Sequence, residues 1–514
     1  MSSSIKATCR GQLKKDLFEP GQFAGRGGSK GARTLLSALF EKPAAQPRQK
    51  LRERWAGITC RCFGLAHCGQ ECPRSSAAPA SPLPLMRPMS RIGPVMLAAA
   101  LLQGLLLAQA PQPLGRMNPL AEHPPWASLS KVSKTLTAEE FDQAFENIYA
   151  DALHVPPPWE HDPNGITVPT GAADGAKVRI DFRLKEEKPA APPRYWRKAS
   201  ELPPLDGKPV LSGVRIALDP GHIGGAYARM EERYLSFHPN EYIAEGELSL
   251  KVAQLLKPQL EALGAQVLMV REANEPVTTA RPPDLRTVAE SVLREHGITG
   301  APESYSGLEG DARVPTIQYQ TEKLFYREGE IRARGKKVNE QLKPDLVLCL
   351  HFNAASWGDP AHPGYSQENH LHLLVNGCYG ADELQLQDVR FEMLERLFAK
   401  THEEELPIAE AIAPELAKST GLPPFNYITP NARPEGKTGY VFARNLLANR
   451  IYQCPVVYVE PYVMNNEETY QRLLLGDYAG STLFQGRLRT SIFQDYARGI
   501  VAGVANYYRQ VRKP

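Results

Sequence analysis

Short apolar runs alternate with helical stretches through the second half of the chain. The apolar runs lie at 214–218, 266–270, 345–350 and 456–460. Apolar residues recur at helical spacing in the segments 247–263, 329–342 and 491–511. Strands separated by helices predict an α/β fold, with a mostly parallel, twisted sheet flanked by helices on both faces.

The region before this sheet has a different pattern. Thr137 with Glu140 three residues later is typical of a capping box that begins an amphipathic helix. Two short strand-like runs follow at 166–168 and 178–182. This pattern predicts a small α+β accessory module, which is either a binding or regulatory unit or a packing appendage. The predicted boundaries are a linker at 111–135, the module at 136–188, a proline-rich linker at 189–209 and the main α/β domain at 210–514.

The start of the chain has a composition of its own. Residues 1–88 are rich in Arg, Gly, Ser, Ala and Pro and show no sustained apolar period. We therefore expect a leader that is disordered or not translated. The leader carries fifteen Lys and Arg against five Asp and Glu, although the whole chain has a net charge of only +3. The remaining residues are acidic overall, and an acidic body lacks the basic face that nucleic-acid binding requires.

A secretory signal follows the leader. Residues 89–110 join a short basic segment to an apolar run and to Ala108-Gln-Ala110, the pattern of a signal peptide. Such a segment belongs at a true N-terminus, so we expect translation to begin at Met86 or Met89. The signal predicts an extracytoplasmic protein, either periplasmic or secreted. Pro111 is a poor context for cleavage, so an uncleaved segment is a possible membrane tether.

The cysteines do not predict a disulfide framework. The three that follow the signal segment, Cys349, Cys378 and Cys454, are an odd number. Five others lie in the leader, and the last four, with His67 nearby, suggest a zinc knuckle, but their spacing does not match the usual paired hooks. These five are Cys9, Cys60, Cys62, Cys68 and Cys72.

Three of the predicted strands end at an ionisable side chain or just before one. His222 follows the first strand, His351 the third, and Glu460 ends the fourth. Because functional residues in such sheets gather beyond the carboxyl ends of the strands, we expect these side chains to converge. Glu245 lies just before a predicted helix, in an entry loop that can reach the same edge of the sheet. Glu241 and Glu247 are competing candidates for the carboxylate that joins the histidines, because spacing alone hardly distinguishes the three.

Two histidines and one carboxylate are a familiar set of zinc ligands that leaves a position open for water. We predict that His222, His351 and one nearby carboxylate hold Zn²⁺, with Glu245 as the candidate and Glu241 and Glu247 as the alternatives. Zinc would lower the pKa of its bound water from about 15.7 to about 7 and polarise a scissile carbonyl. Glu460 is the candidate base that takes a proton and returns it to the leaving nitrogen.

At these motifs the chain resembles the zinc-dependent N-acetylmuramoyl-L-alanine amidases of bacterial cell-wall turnover. The resemblance covers about 213–510 and includes the distance from Glu245 to a Leu-x-Leu helix start, which favours Glu245 over Glu247. The matching motifs are Asp219-Pro-Gly-His222, Glu245-Gly-Glu-Leu248-Ser-Leu250, Leu350-His351-Phe-Asn353, and Val459-Glu460 with Asn466 downstream. Val270-Arg271 and the segment from Ile331 through Arg334 to Asn339 also resemble family motifs.

The resemblance implies that a zinc-activated water cleaves the amide between N-acetylmuramic acid and L-alanine in peptidoglycan. Peptidoglycan is then the substrate, and no regulatory partner is implied. A zinc peptidase acting on another amide and a non-catalytic wall-binding protein are the alternatives.

The chain departs from the family pattern in places. Ile223 stands where glycine is usual, Leu350 where serine is common, and Tyr462-Val463 replaces a Gly-Phe pair. Long insertions lie at 276–326 and between Trp357 and Thr401. We expect them to form a cover that shapes or gates the cleft.

Overall fold

A computed structural model describes residues 117–151, 156–172, 174–306, 313–356 and 364–512. The predicted leader and signal peptide lie outside these residues, as do the five leader cysteines and the first six residues of the first linker, 111–116. In the described part of the chain, no helix is both long enough and apolar enough to cross a bilayer.

The elements are numbered in chain order. The strands are β1 (Glu160–Asp162), β2 (Gly165–Pro169), β3 (Lys177–Asp181), β4 (Arg215–Pro220), β5 (Tyr234–Leu235), β6 (Ile243–Ala244), β7 (Gln266–Met269), β8 (Leu346–Leu350), β9 (Leu371–Val375), β10 (Arg433–Glu435), β11 (Val441–Ala443), β12 (Val456–Pro461), β13 (Ser481–Phe484) and β14 (Arg487–Thr490). The helices are α1 (Ala138–Ala144), α2 (Glu245–Ala262), α3 (Arg286–Glu295), α4 (Ile317–Lys323), α5 (Glu330–Lys336), α6 (Ala381–Gln385), α7 (Gln387–Ala399), α8 (His402–Thr420), α9 (Leu447–Ile451), α10 (Glu467–Leu474) and α11 (Ile492–Val511).

A seven-stranded sheet in the order β10-β11-β9-β12-β8-β4-β7 forms the centre of the fold. Strands β7, β4, β8 and β12 run parallel to one another. Strand β9 is antiparallel to β12 and parallel to β11, and β10 is antiparallel to β11. The prediction of a mostly parallel α/β sheet is confirmed.

Helices cover the two faces of this sheet because successive strand residues point to opposite sides. Alternate residues of β4, β8 and β12 enter one apolar core with α2, α8 and α11. The intervening residues, such as Ala217, Val347 and Cys349, enter a second core on the other face, which includes Ala448 of α9. Burial on both faces explains why these strands are continuous apolar runs in the sequence.

The region before the sheet forms the elements that its pattern predicts. The Thr137 hydroxyl accepts a hydrogen bond from the Glu140 amide at 3.1 Å, and the Glu140 carboxylate accepts one from the Thr137 amide at 2.8 Å, which completes the capping box before α1. Strands β1, β2 and β3 form a small antiparallel sheet. Their core continues into α7, where Phe398 packs 5.6 Å from Phe141. A short 3₁₀ helix, Trp126–Val132, packs into the same core from within the segment predicted to be a linker.

The expectation of a cover is wrong for the middle of the segment between Trp357 and Thr401. Residues 371–375 are β9, an interior strand between β11 and β12, and all five are buried. A run of five buried residues cannot lie over a cleft as a solvent-exposed flap. Strands β9, β10 and β11 together extend the predicted sheet by three strands.

Candidate metal and catalytic site

The carboxyl ends of β4, β8 and β12 meet at one edge of the sheet. In the parallel ladders, Pro220 of β4 and Val459 of β12 are both register partners of Leu350. His222 follows Pro220 after a single glycine, His351 directly follows Leu350, and Glu460 directly follows Val459. The shared edge expected from the sequence therefore forms, with β8 in the middle.

His222, Glu245 and His351 form a compact group that we call the metal-ligand cluster. Each offers a ligand atom, and these atoms all lie within 4.8 Å of one another. Nε2 of His222 lies 3.2 Å from Oε2 of Glu245, and Nδ1 of His351 lies 2.9 Å from Oε1 of the same carboxylate. The two imidazole rings are nearly perpendicular, with centroids 5.2 Å apart. One carboxylate is thus shared between two histidines.

Glu245 is placed by the start of a helix. It is the first residue of α2 and is fully buried. Its Oε1 also accepts a hydrogen bond from the amide of Phe352, 3.2 Å away on the segment after β8. Glu247 faces elsewhere, because its Oε1 accepts a hydrogen bond from the Gly225 amide at 3.1 Å. Of the three candidate carboxylates, the structure brings Glu245 to the histidines.

Two glycines allow the backbone to approach the site closely. A Cβ on Gly221 would lie 2.3 Å from the ring of His351, and a Cβ on Gly246 would lie 2.3 Å from the amide nitrogen of Gly224. Neither position has room for a side chain. The glycine of the Asp-Pro-Gly-His motif therefore leaves space for the second histidine.

His222 is held in a turn that the sequence did not reveal. Its φ is 55°, in the left-handed region that residues other than glycine rarely adopt. Glu231 supports the turn by accepting hydrogen bonds from the amides of Ile223 at 2.9 Å and Gly224 at 3.1 Å. The same carboxylate lies 3.7 Å from Nδ1 of His222. Glu231 is thus placed to orient the imidazole.

Buried arginines fix the strand end that carries His222. Arg334 donates to the carbonyl of His222 at 2.7 Å and to Oδ1 of Asp219 at 2.9 Å. Arg271 donates to the carbonyls of Pro220 at 3.0 Å and Gly221 at 3.1 Å. The aspartate of the motif therefore anchors the turn.

The charges of the cluster are strongly coupled. Burial lowers the pKa of His222, but the carboxylates of Glu245 and Glu231 outweigh this effect and raise it to about 9. Burial raises the pKa of Glu245, but the two histidines outweigh this and hold it well below its ordinary value. A buried carboxylate between two imidazoles is an environment that stabilises a cation.

Glu460 faces the same cavity as the two histidines. The wall of this cavity includes His222, Glu231, His351, Tyr458 and Glu460. The ring of Tyr458 stacks on His351 with centroids 5.3 Å apart. The structure thus brings all four predicted site residues to one place.

Part of the insertion at 276–326 borders this cavity. Leu285, Ala289 and Phe325 form a small buried core with Ile223, the residue next to His222. Tyr326, at the end of the insertion, lines the cavity wall. The insertion therefore packs beside the histidine turn.

The donor set fits a zinc ion. Two imidazoles and one carboxylate are a zinc ligand set that leaves a fourth position open. A carboxylate facing the second nitrogen of a ligand histidine, as Glu231 faces His222, is the usual outer support of such a site. These residues could hold a divalent metal.

Sequence reasoning missed Glu231 and His372, the partner of Glu460. Glu231 lies in a charged run, Glu231-Glu-Arg233, that looks like a solvated surface. His372 had a visible signal, because it interrupts an otherwise apolar run after His370. A buried strand that carries a histidine requires a polar partner for that side chain.

No protein-family model matches the chain, and no curated protein matches it. Among solved structures, the N-acetylmuramyl-L-alanine amidase Ami1 from Mycobacterium abscessus is similar at 16% identity, covering 58% of this chain and 99% of that one, with a TM-score of 0.30. The CwlD amidase from Clostridioides difficile, in complex with the GerS lipoprotein, is similar at 14% identity over 57% of this chain and 98% of that one, with a TM-score of 0.30. The amidase AmiC2 of Nostoc punctiforme is similar at 12% identity over 58% and 97%, with a TM-score of 0.29. These values are too low to assign the chain to a family, so its function has to be argued from the site.

Proposed function

We propose that the chain is a zinc-dependent N-acetylmuramoyl-L-alanine amidase, which hydrolyses the amide between N-acetylmuramic acid and L-alanine in peptidoglycan. The observation that carries this proposal is that the metal-ligand cluster is compact and that its two histidines share one cavity with Glu460. We assign this activity to the α/β domain at 210–514 and an extracytoplasmic location to the protein, as its substrate requires.

The residues have separate roles in this proposal. His222, Glu245 and His351 would hold Zn²⁺, which when bound would activate water and polarise the scissile carbonyl. Glu460 accepts a proton from the attacking water and donates it to the leaving nitrogen. Glu231 orients His222 from outside the cluster.

The chemistry and the substrate rest on different arguments. The proposed amide hydrolysis is supported by the two histidines and one carboxylate of the metal-ligand cluster, together with the Glu460 carboxylate beside them. The substrate follows from the motifs around Asp219, Glu245, His351 and Glu460, whose order and spacing resemble the cell-wall amidases. The two arguments can be tested separately.

Digestion of purified peptidoglycan by the zinc-loaded full chain tests both. We expect free stem peptides that begin with L-alanine, together with intact glycan strands, in the mass spectrum of the products. Cleavage inside the stem peptide would replace the amidase by a peptidase. Binding to peptidoglycan without any product, at stoichiometric zinc, would replace it by a wall-binding protein.

A further inference from the structure

Glu460 has a partner that the proposed chemistry has not yet used. His372 of β9 is its direct register partner in the antiparallel ladder with β12. Nε2 of His372 lies 3.2 Å from Oε2 of Glu460. Only 1% of His372 and 3% of Glu460 is exposed. We call these two residues the Glu460–His372 pair.

Aromatic rings fix the position of His372. The Phe425 ring lies 5.2 Å from it, and the Tyr427 ring meets it edge-on at 5.4 Å. In the part of the chain that the structure describes, neither Nδ1 of His372 nor Oε2 of Glu460 makes a well-aligned hydrogen bond, so the two residues are joined by the 3.2 Å approach of Nε2 to Oε2. A proton carried on Nε2 would lie on the side of the ring that faces the Glu460 carboxylate.

The two members of the pair relate differently to the cavity. Glu460 is part of the cavity wall, whereas His372 is not among the described residues that line it. The histidine therefore acts from behind the carboxylate. A group in this place can aim Glu460 and stabilise its charge without touching a substrate.

Glu460 needs such support because it is buried. Burial raises its pKa, and Glu245 raises it further, whereas His372 and His351 lower it, so that the pKa lies below its ordinary value. Three groups face His372: Glu460 from β12, Tyr427 from the loop after α8, and His370 just before its own strand. A carboxylate deprived of its imidazole partner here would bind a proton more readily.

We infer that His372 is a positioning residue that keeps Glu460 ionised and directed into the cavity. Glu460 then takes the proton from water as the new carbon–oxygen bond forms, and it returns that proton to the nitrogen as the carbon–nitrogen bond breaks. His372 keeps its own proton throughout. This inference rests on the proposed function for the role of Glu460, but the contact itself does not.

Three variants of the zinc-loaded full chain test the inference on purified peptidoglycan. His372→Phe removes the donor, whereas His372→Gln keeps an amide donor. His370→Phe is the matched control, because this neighbouring buried histidine also contacts Phe425, with ring centroids 4.3 Å apart, but it is not the register partner of Glu460. The measurements are kcat and KM against pH, with zinc content determined for each variant.

We expect His372→Phe to lower kcat by about 10–100-fold, less than the roughly 10²–10⁴-fold loss of a general base. The acid limb of the kcat–pH profile of this variant should move to higher pH by about one unit or more, because the Glu460 carboxylate becomes easier to protonate. KM and zinc content should stay near their original values. His372→Gln should restore part of kcat, and His370→Phe should leave the acid limb in place.

An unchanged pH profile in a folded, zinc-loaded His372→Phe protein would overturn the inference while leaving the amidase proposal intact. Absence of any amide cleavage by the original protein would instead overturn the proposed function. A second measurement tests the His372–Glu460 contact without relying on activity. It therefore applies even if the original protein cleaves no amide or if His372→Phe does not fold. The side-chain ¹⁵N resonance of His372, assigned with His372→Gln, should shift in Glu460→Gln, and an unshifted resonance would contradict the contact.

Discussion

The metal-ligand cluster and the Glu460–His372 pair lie at neighbouring strand ends but are built differently. The cluster draws its residues from the turn after β4, the start of α2 and the end of β8. The pair consists of two residues that face each other across one antiparallel ladder. The cluster therefore depends on where three separate segments meet, whereas the pair depends only on the register of two strands.

The two regions also differ in charge. In the cluster, one buried carboxylate faces two imidazoles, and a second carboxylate, Glu231, lies behind one of them. In the pair, one carboxylate faces one imidazole, with Oε2 of Glu460 3.2 Å from Nε2 of His372. This difference suits the cluster to an external cation and the pair to holding a proton acceptor in place. Loss of metal should therefore follow changes in the cluster but not in the pair.

The largest expected effect is loss of a ligand. His351→Ala should remove both zinc and activity, because the remaining two ligands leave the site incomplete. Zinc content by mass spectrometry and product release from peptidoglycan measure the two losses. The matched control is His402→Ala, which removes a buried histidine at the start of α8, far along the chain from the cluster, and should keep both. Tight stoichiometric zinc in His351→Ala would show that the ligand set is wrong.

Glu460→Gln should separate the two regions. We expect zinc to remain near stoichiometric while kcat falls by roughly 10²–10⁴-fold, because an amide cannot accept the proton. Glu404→Gln is a suitable control, since that carboxylate is also buried but accepts hydrogen bonds from the Tyr507 hydroxyl and the Ala199 amide. Full activity in Glu460→Gln would exclude Glu460 as the base.

A smaller effect is expected from the carboxylate behind His222. Glu231→Gln should weaken zinc binding by about 10–100-fold, the usual cost of losing the outer support of a ligand histidine. Competition with a zinc chelator measures the affinity, and excess zinc should restore most activity. Glu247→Gln alters a carboxylate of α2 that accepts a hydrogen bond from the Gly225 amide and does not face His222, so the zinc affinity of this variant should change little. Equal affinities in the two variants would remove Glu231 from the site.

The sequence predicted the parallel half of the sheet and the meeting of His222, Glu245, His351 and Glu460 because both leave local signals. Strands β4, β8 and β12 are continuous apolar runs, and His351 and Glu460 stand where such runs end. Glu245 could be separated from Glu247 only through the resemblance to a family, because both residues stand near the start of the same helix.

The other half of the sheet left weaker signals. Strands β10 and β11 have only three residues each, too few for a periodic pattern. Strand β9 lies in a stretch that looked like an insertion, although its five residues are buried between two partners. The roles of Glu231 and His372 depend on contacts between distant segments, which spacing along the chain does not encode.

The most direct test of the central claim is diffraction at the zinc absorption edge from crystals of the zinc-loaded full chain. We expect one anomalous peak with His222, Glu245 and His351 as ligands, about 2.0–2.2 Å from their nitrogen and oxygen atoms. A zinc ion bound elsewhere, or these three side chains pointing apart around an empty site, would contradict it.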